Sequence, residues 1–456
     1  MAPLMVLLDS FVKLSFEQED GAAVAAEKNK GAVAAAPSLQ SLMDSTISFL
    51  RSLTPDALLH HPPKVSTLRL RSSSRRLRDA AHGVPLSAVV ACADKSMLVL
   101  YGGKYSGPGS SSRGCYLIYD AAVSGGSTLT ATVPSLPLSP YLTSVGAGAV
   151  VLRRSSHSPA SSSSSYILAE LATTGERRLP DAELYLWRSP DDDSPTTTTQ
   201  WEKKAVRLPH EVHADLDKHN FCVDTSFAFG DSGLCWVDLL RGIVVYHPDP
   251  HDQFRFIPLP EDGCPEYTMS HYPYRPRMSE FRAAACVAGA IKLVALEGYL
   301  EGWNDSQQFR FVTWTLTPDL RQWKKDAVFY VRDIWASDKY RALNISRQIT
   351  PICPVLSPLD DAVYVIINDV EVHDIVKGSE VVETKVDIKG QYVLGLGIQN
   401  NQVISADGGR PTDSMVQLTP KLLATDFCAC LQGPKDRQRD VKASEVVESG
   451  KRPKVY

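Results

Sequence analysis

The fold is decided by the stretch from Val223 to Gly263, which reads VDTSFAFGDSGLCWVDLLRGIVVYHPDPHDQFRFIPLPEDG. Apolar and polar residues alternate up to Phe229, and three short apolar runs follow, at 234–239, 243–247 and 254–259. Glycine, proline and aspartate separate these runs, as expected at tight turns. Four strands joined by tight turns form an antiparallel meander. A meander of this kind is the unit of a propeller blade.

The same rhythm extends on both sides of this stretch. Residues 281–329 predict a second meander with a turn at Gly289, and residues 145–208 predict a looser one. Further strands are predicted at the positions that follow: 88–101 as one strand, 115–119, 128–133, and then 362–367, 371–376, 381–388, 392–396 and 402–405. We therefore expect a mainly β fold of antiparallel four-stranded meanders in a propeller-like array. Two stacked β-sandwiches remain the alternative, because the units are too dissimilar to count as a repeat.

Helical signals are few. Spacings of three and four between apolar residues in 38–60 predict a short N-terminal amphipathic helix ending near Pro55, with Ser38 as N-cap. A second short helix is predicted at Asp333–Leu343, with Trp335 and Tyr340. Few helical patterns lie between the predicted strands, which argues against alternating strands and helices and so against a parallel α/β sheet.

The expected organisation has five parts. They are a strand segment at 1–20, a mobile connection plus helix at 21–64, a β-meander region with low-complexity insertions at 65–215, a second β-meander region at 216–432, and a charged tail at 433–456. The insertions 106–114, 155–165 and 189–199 are rich in serine, threonine, proline and glycine, and they predict disordered loops. The tail is predicted to be disordered as well.

Bulk composition narrows the class of protein. The formal net charge of the 456 residues is -4, from 48 basic and 52 acidic side chains, so no overall attraction to nucleic acid is expected. Nine scattered cysteines without a CxxC pair suit a reducing compartment. Asp9 interrupts the apolar N-terminal run, and no apolar run approaches 18 residues, so neither a secretory signal nor a membrane span is expected. These features predict an intracellular protein of the cytoplasm or nucleus.

Several segments of the sequence resemble a known family. Ser226–Phe229, Trp236–Leu239, Gly242–Ile243 and Ile257–Pro260 are similar to the core of the plant family "domain of unknown function 1618", which is abundant in grasses. Further similar segments are 6–9, 62–66, 311–316 with Trp323, Trp335, and 354–357. The resemblance carries no assigned chemistry. The pattern is also similar to the kelch-like domains that accompany F-box proteins, which would imply a substrate receptor of a ubiquitin ligase. The helical pattern at 38–60 lacks the Leu-Pro entry of an F-box.

Motifs that bear on chemistry are weak. His210-Glu211-Val212-His213 is one residue short of the HExxH zinc motif and is interpreted as a charged loop. Asp191–Asp193 is interpreted as a solvated turn, and Cys428-Ala429-Cys430 as packing residues. Gly102-Gly103-Lys104 and Gly146-Ala147-Gly148 lack the spacing of a phosphate-binding loop and are interpreted as hairpin turns. The basic clusters 72–78 and 451–454 lack the interleaved aromatic residues of a stacking platform.

No catalytic, cofactor-binding or metal-binding residue is therefore assigned, and no cofactor is expected. The sequence favours a protein-binding or scaffold module without catalytic activity, with an unidentified protein partner, no membrane and no nucleic acid. Two alternatives stay open. One is a propeller-type hydrolase with its site at the channel mouth, and the other is a receptor related to F-box proteins.

Overall fold

A computed structural model of the chain describes most of the sequence, with gaps at several connections. The described residues are 3–16, 48–72, 87–104, 113–122, 128–134, 136, 148–154, 165–173, 181–189, 200–212, 221–248, 253–260, 275, 277–299, 305–345, 348–377, 380–409 and 420–431. Four predictions of disorder concern the insertions 106–114, 155–165 and 189–199 and the tail 433–456, and these segments lie almost wholly outside the described residues. The basic clusters 72–78 and 451–454 do so too, except for Ser72.

Four antiparallel sheets of four strands follow one another along the chain. Each is a meander in which every strand pairs with the next. The first sheet consists of β9 (Ala149–Arg153), β10 (Tyr166–Thr173), β11 (Asp181–Arg188) and β12 (Glu202–Arg207), and the second of β13 (Thr225–Phe229), β14 (Gly233–Asp238), β15 (Gly242–His247) and β16 (Gln253–Pro258). The third sheet consists of β17 (Arg282–Val287), β18 (Ala290–Glu297), β19 (Arg310–Leu316) and β20 (Trp323–Tyr330), and the fourth of β21 (Ile352–Leu356), β22 (Ala362–Lys377), β23 (Glu380–Gly397) and β24 (Gln402–Gly409). The predicted mainly β fold of four-stranded meanders is thus confirmed.

The remaining strands form a nine-stranded sheet. It contains β1 (Val6–Asp9), β2 (Phe11–Phe16), β3 (Thr54–Leu58), β4 (Val65–Ser72), β5 (Ser87–Asp94), β6 (Met97–Lys104), β7 (Arg113–Asp120), β8 (Ala131–Pro134) and β25 (Leu422–Thr425). β5 to β8 pair in order as a further meander. β25 pairs antiparallel with β1, with Val6 opposite Thr425, so the two ends of the described chain share one sheet.

How deeply a strand is buried depends on its position within its four-stranded sheet. β14 is buried along its whole length, and β15 is buried except at His247. The first strand β13 is only half-buried, and the fourth strands β12 and β16 carry mostly exposed and half-buried residues. The first strands also contact one another in series: β5 with β9, β9 with β13, β13 with β17, β17 with β21, and β21 with β25. Middle strands are therefore the most buried strands of their sheets, while each first strand lies beside the first strand of the next sheet.

The helices differ in part from the prediction. Within 38–60 the structure describes only a helix α1 at residues 48–51, and Thr54–Leu58 is strand β3, which pairs with β4. The predicted helix end near Pro55 was wrong, because Thr54 and Pro55 pair with strand β4 and this pairing overrides weak local propensity. Residues 38–47, including the predicted N-cap Ser38, lie outside the described residues. The helix at 333–343 is confirmed as two short helices, α2 (Val331–Ala336) and α3 (Asp338–Arg341). The described residues also contain the 3-10 turns η1 (His210–Val212), η2 (Met278–Glu280), η3 (Ser306–Gln308) and η4 (Phe427–Cys430).

Two predictions of strand boundaries were wrong. The single strand predicted at 88–101 is the hairpin β5–β6, which turns at Lys95 in the left-handed region with φ of 52°. The four short strands predicted between 362 and 396 are two long ones, β22 and β23. Asn368-Asp369 and Lys389-Gly390 resemble a strand break, but the ladder absorbs them as a bulge between Asp369 and Val370.

Candidate functional site

A cavity lies where the first strands approach one another. It has a larger chamber of about 410 Å³ and a smaller one of about 170 Å³. Thr225, Ala284, Leu356 and Leu423 border both chambers, so the two are adjacent, and together they are here called the strand cavity. Because its walls come from β13, β17, β21 and β25, the half-burial of β13 and β25 reflects contact with this space.

The larger chamber has a polar end. Asp94, Lys95, Asp231 and Asp426 line it. Lys95 Nζ lies 3.9 Å from Asp231 Oδ1, and Asp94 Oδ2 accepts a hydrogen bond from the Arg153 backbone N–H at 2.8 Å. Burial raises the pKa of both Asp94 and Asp426. This end carries more negative than positive charge and disfavours anions.

The smaller chamber contains one cation whose charge is not matched by a contacting partner among the described residues. Lys421 precedes β25 and lines this chamber, and no hydrogen bond or ion pair of its Nζ occurs in the described part of the chain. Its side chain lines the chamber and keeps an exposed surface, and partial desolvation by the surrounding protein lowers the pKa of its ammonium group. The negative charge of Asp224 acts in the opposite direction.

Asp224 itself belongs to a buried ion triad. Arg275 donates to Asp224 Oδ1 and Oδ2 at 3.0 and 2.7 Å and to Asp238 Oδ1 at 2.6 Å. Burial raises the pKa of Asp224 to about 6, although Arg275 opposes the shift. Asp224 therefore remains ionised at neutral pH and is held by Arg275, which leaves it poorly placed as a general base.

The cysteines bordering the cavity are not activated. Cys353 and Cys286 lie on its walls. Burial raises the pKa of the Cys353 thiol to about 12 and also raises that of Cys286. A thiolate is the nucleophilic form of cysteine, and both shifts disfavour it. The described walls also contain no histidine beside a serine or cysteine, so no nucleophile–base pair occurs there.

A second candidate is the distal part of the β22–β23 hairpin, here called the ribbon (residues 368–377 and 380–390). β21 pairs with β22 only up to Ile366, and β24 pairs with β23 only from Gln391 onward. In the ribbon the two strands consequently pair with each other alone among the described strands. At roughly 3.4 Å per residue, this makes an arm of about 30 Å.

The two faces of the ribbon differ sharply. One face carries the cross-strand pairs Val370–Ile388 and Val372–Val386. Val372 and Val386 are 56% and 41% exposed. Val370 and Ile388, which are half-buried, extend this exposed pair into a continuous apolar strip, and a contiguous apolar surface is the kind that marks an interaction site.

The opposite face is charged and satisfied internally. Lys389 Nζ lies 2.7 Å from Glu371 Oε2, and Lys385 Nζ lies 3.1 Å from Asp387 Oδ1. His373 Nε2 lies 3.6 Å from Glu371 Oε2. Hydrogen bonds from the two lysines lower the pKa of Glu371 and of Asp387. The unsatisfied side of the ribbon is therefore the apolar one.

The weak sequence motifs do not converge on either candidate. His210–Val212 forms η1 with Val212 buried, and His213 lies outside the described residues, as do Asp191–Asp193. Groups of three or more metal-ligating side chains are absent from the described residues. Cys428 is buried in η4, where its thiol contacts the Pro3 carbonyl at 3.1 Å, in accord with the packing interpretation.

One motif interpretation was wrong. Gly102 and Gly103 lie inside strand β6 and do not form a hairpin turn. A Cβ on Gly102 would come 3.2 Å from Leu50, so close packing of α1 explains this glycine. Gly146 and Ala147 lie outside the described residues, while Gly148 directly precedes β9.

The residues that carry the family resemblance have structural roles. Trp236 donates its indole N–H to the Gly148 carbonyl at 2.7 Å, which joins two sheets. Asp238 accepts from the Cys222 and Leu240 backbone N–H groups at 2.8 and 2.9 Å. A Cβ on Gly242 would lie 2.4 Å from the Ile257 carbonyl oxygen. The motif thus specifies how this meander is built and joined to its neighbour.

Lys421 and the apolar face of the ribbon were not predicted from the sequence. Lys421 lies just after the segment 410–419, which is outside the described part, and nothing in its local pattern distinguishes it from a surface lysine. The ribbon did carry a signal, since Val370, Val372, Val386 and Ile388 alternate with charged residues on both strands.

Comparison with known proteins identifies one region. Residues 236–365 match the model of a family described as "Protein of unknown function (DUF1618)". No curated protein matches the chain. The family match confirms the resemblance over this region, from Trp236 in β14 to Val365 in β22, and it brings no assigned activity. No helix among the described residues is long and apolar enough to cross a membrane.

Proposed function

We propose that this protein is a protein-binding module whose contact element is the ribbon. The observation that carries the proposal is the exposed pair Val372–Val386, since the charged groups on the opposite face already satisfy one another. The occupant is a partner protein that presents an apolar strip, because burial of the ribbon's apolar face removes it from water while the ion pairs stay solvated.

A propeller-like closed array would support such a role. The serial contacts between first strands and the β1–β25 pairing favour sheets arranged about a common axis. A rigid body of that kind would hold the ribbon at a fixed angle, which suits recognition. The eight described cysteines are free, which favours a reducing compartment, cytoplasm or nucleus. Plant origin, kelch-like ancestry and the F-box-related receptor rest on sequence resemblance alone.

The hydrolase alternative has less support. Its site would be the strand cavity, where the walls combine small apolar residues with a carboxylate already held by Arg275.

Site-specific photo-crosslinking tests the proposal. The photoreactive residue p-benzoylphenylalanine is placed at Val372 or, as the matched control, at His373 on the opposite face, in the full chain expressed in cells. We expect one reproducible heteromeric crosslink from position 372 that disappears in the background Val386→Asp, and none from position 373. Equal crosslinking from both positions, or a crosslink only between two copies of the chain, would overturn the proposal.

A further inference from the structure

We propose that the ribbon accepts an extended segment of its partner protein as a third strand, and that this segment alternates apolar with basic residues. The segment lies along the outer backbone edge of β22 at residues 368–377, here called the β22 edge. This mode of binding rests on the proposed function of the ribbon.

The β22 edge lies open because the chain that precedes β21 turns away from it. Pro351 has no backbone N–H with which to continue the ladder. The N–H of Ile349 donates to the Tyr340 hydroxyl at 3.0 Å, and its carbonyl accepts from the Trp335 indole N–H at 2.9 Å. The chain is thus held against α2 and α3. Beyond Ile366 no described strand pairs with the outer side of β22.

A two-stranded arm of this length gains from a third strand. Two strands alone are marginal in water, whereas three strands with an apolar face form a stable sheet. The β22 edge contains neither proline nor glycine, which would block or weaken pairing there. The apolar side chains of an added strand would lie beside Val370 and Val372, on the exposed apolar face.

The acidic surplus of the ribbon selects the remaining residues of the segment. The ribbon contains six acidic and three basic residues, with histidine counted as neutral. The β22 edge itself carries Asp369, Glu371 and Asp374 against Lys377. Lysine or arginine at alternate positions of the added strand complements this surplus. A second copy of the chain does not, because two β22 edges would bring acidic strands together.

Calorimetric titration of the full chain with the peptide acetyl-Lys-Val-Lys-Val-Lys-Val-Lys-Val-Lys-amide tests the pairing. N-methylation of the peptide's backbone amides keeps the side chains and removes the donors, so we expect it to weaken binding by about tenfold or more. The peptide with glutamate in place of lysine should also bind about tenfold more weakly. Equal binding of the N-methylated peptide, or no binding of the lysine peptide at millimolar concentration, would overturn the proposal.

A matched pair of variants tests the location of the charge. Glu371→Gln, on the β22 edge, should weaken the lysine peptide by about threefold. Glu211→Gln removes the same charge at an exposed position of η1 and should leave the affinity unchanged. Equal effects in the two variants would show attraction by net charge alone and would contradict the added strand.

Hydrogen exchange at single-residue resolution distinguishes failure of the added strand from failure of the proposed function. The lysine peptide should slow exchange most at backbone amides of the β22 edge, and protection mainly within 380–390 would contradict this placement. A crosslink from position 372 with unchanged exchange along the β22 edge would keep the ribbon as contact element and overturn the added strand alone. Absence of that crosslink would overturn the proposed function and the added strand with it.

Discussion

Trp236 in β14 and Gly148 at the start of β9 are joined by a hydrogen bond of 2.7 Å between the indole N–H and the backbone carbonyl, buried between two sheets. Trp236→Phe removes the donor and leaves that carbonyl without it, which should lower the free energy of unfolding by roughly 1–3 kcal/mol. Urea unfolding followed by circular dichroism measures the change. Trp323→Phe is the control, because Trp323 makes the same type of bond, to Pro258, at an exposed site. An equal loss in both variants would contradict the role of burial.

The close approach at Gly242 gives a second prediction. A Cβ there would lie 2.4 Å from the Ile257 carbonyl oxygen, so Gly242→Ala must displace backbone in the β15–β16 ladder. We expect a loss of about 2 kcal/mol or more in the free energy of unfolding. Gly409→Ala, where nothing lies within 4 Å, is the control and should be nearly neutral. Thermal unfolding of both variants measures the loss. A Gly242→Ala chain as stable as the unmodified chain would be inconsistent with the close packing at Gly242.

Asp224 predicts a pH dependence of stability. Its pKa is raised from 3.8 to about 6 in the folded chain, so the fold favours its protonated form. The stabilising contribution is complete below about pH 4 and is lost as the pH rises through about 6. In the unmodified chain the free energy of unfolding should therefore fall by at most about 3 kcal/mol across this pH range, at about 1.36 kcal/mol per pKa unit, and Asp224→Asn should remove this fall. Urea unfolding at intervals between about pH 4 and 7 measures it.

The control for that series is Asp231→Asn, whose carboxylate is 95% exposed. This variant should keep the slope of the unmodified chain. An Asp224→Asn chain with an unaltered slope would show that the triad does not set the pH response.

Excision of the ribbon gives a fourth prediction. Asn368 and Gln391 face each other across the ladder, and their side chains hydrogen-bond at 2.8 Å. Replacing residues 369–390 with Asn-Gly offers a two-residue turn of the type that antiparallel hairpins favour. Because the ribbon strands pair only with each other in the described structure, we expect the same melting temperature within a few degrees. A cooperative collapse of the far-ultraviolet circular dichroism signal would contradict an independent ribbon.

The meanders were predictable from sequence because their signals are local. In 223–263, strand alternation and the turns at Gly230–Gly233 and Pro248–Pro250 lie within a few residues of each other, and the strands of the structure follow them closely. The merging of strands at Asn368 was not predictable in the same way. A bulge costs little when a long partner strand continues on both sides, and the partner is not visible in the local pattern.

The strand cavity could not be predicted from the sequence for a related reason. Thr225, Ala284, Leu356 and Lys421 come from four separate strands or their flanks, and only the packing of sheets brings them together. Each is ordinary in its own neighbourhood. The sequence resemblance marked Trp236 and Asp238 instead, and these residues secure the framework around the cavity.

The antiparallel ladder between Val6 and Thr425 has a consequence for biosynthesis. During translation β1 leaves the ribosome about four hundred residues before its partner β25 does. Until then one backbone edge of β1 offers unpaired N–H and C=O groups to any passing strand. Completion of this sheet is therefore a late event, and the nascent chain gains from any chaperone that shields the waiting edge.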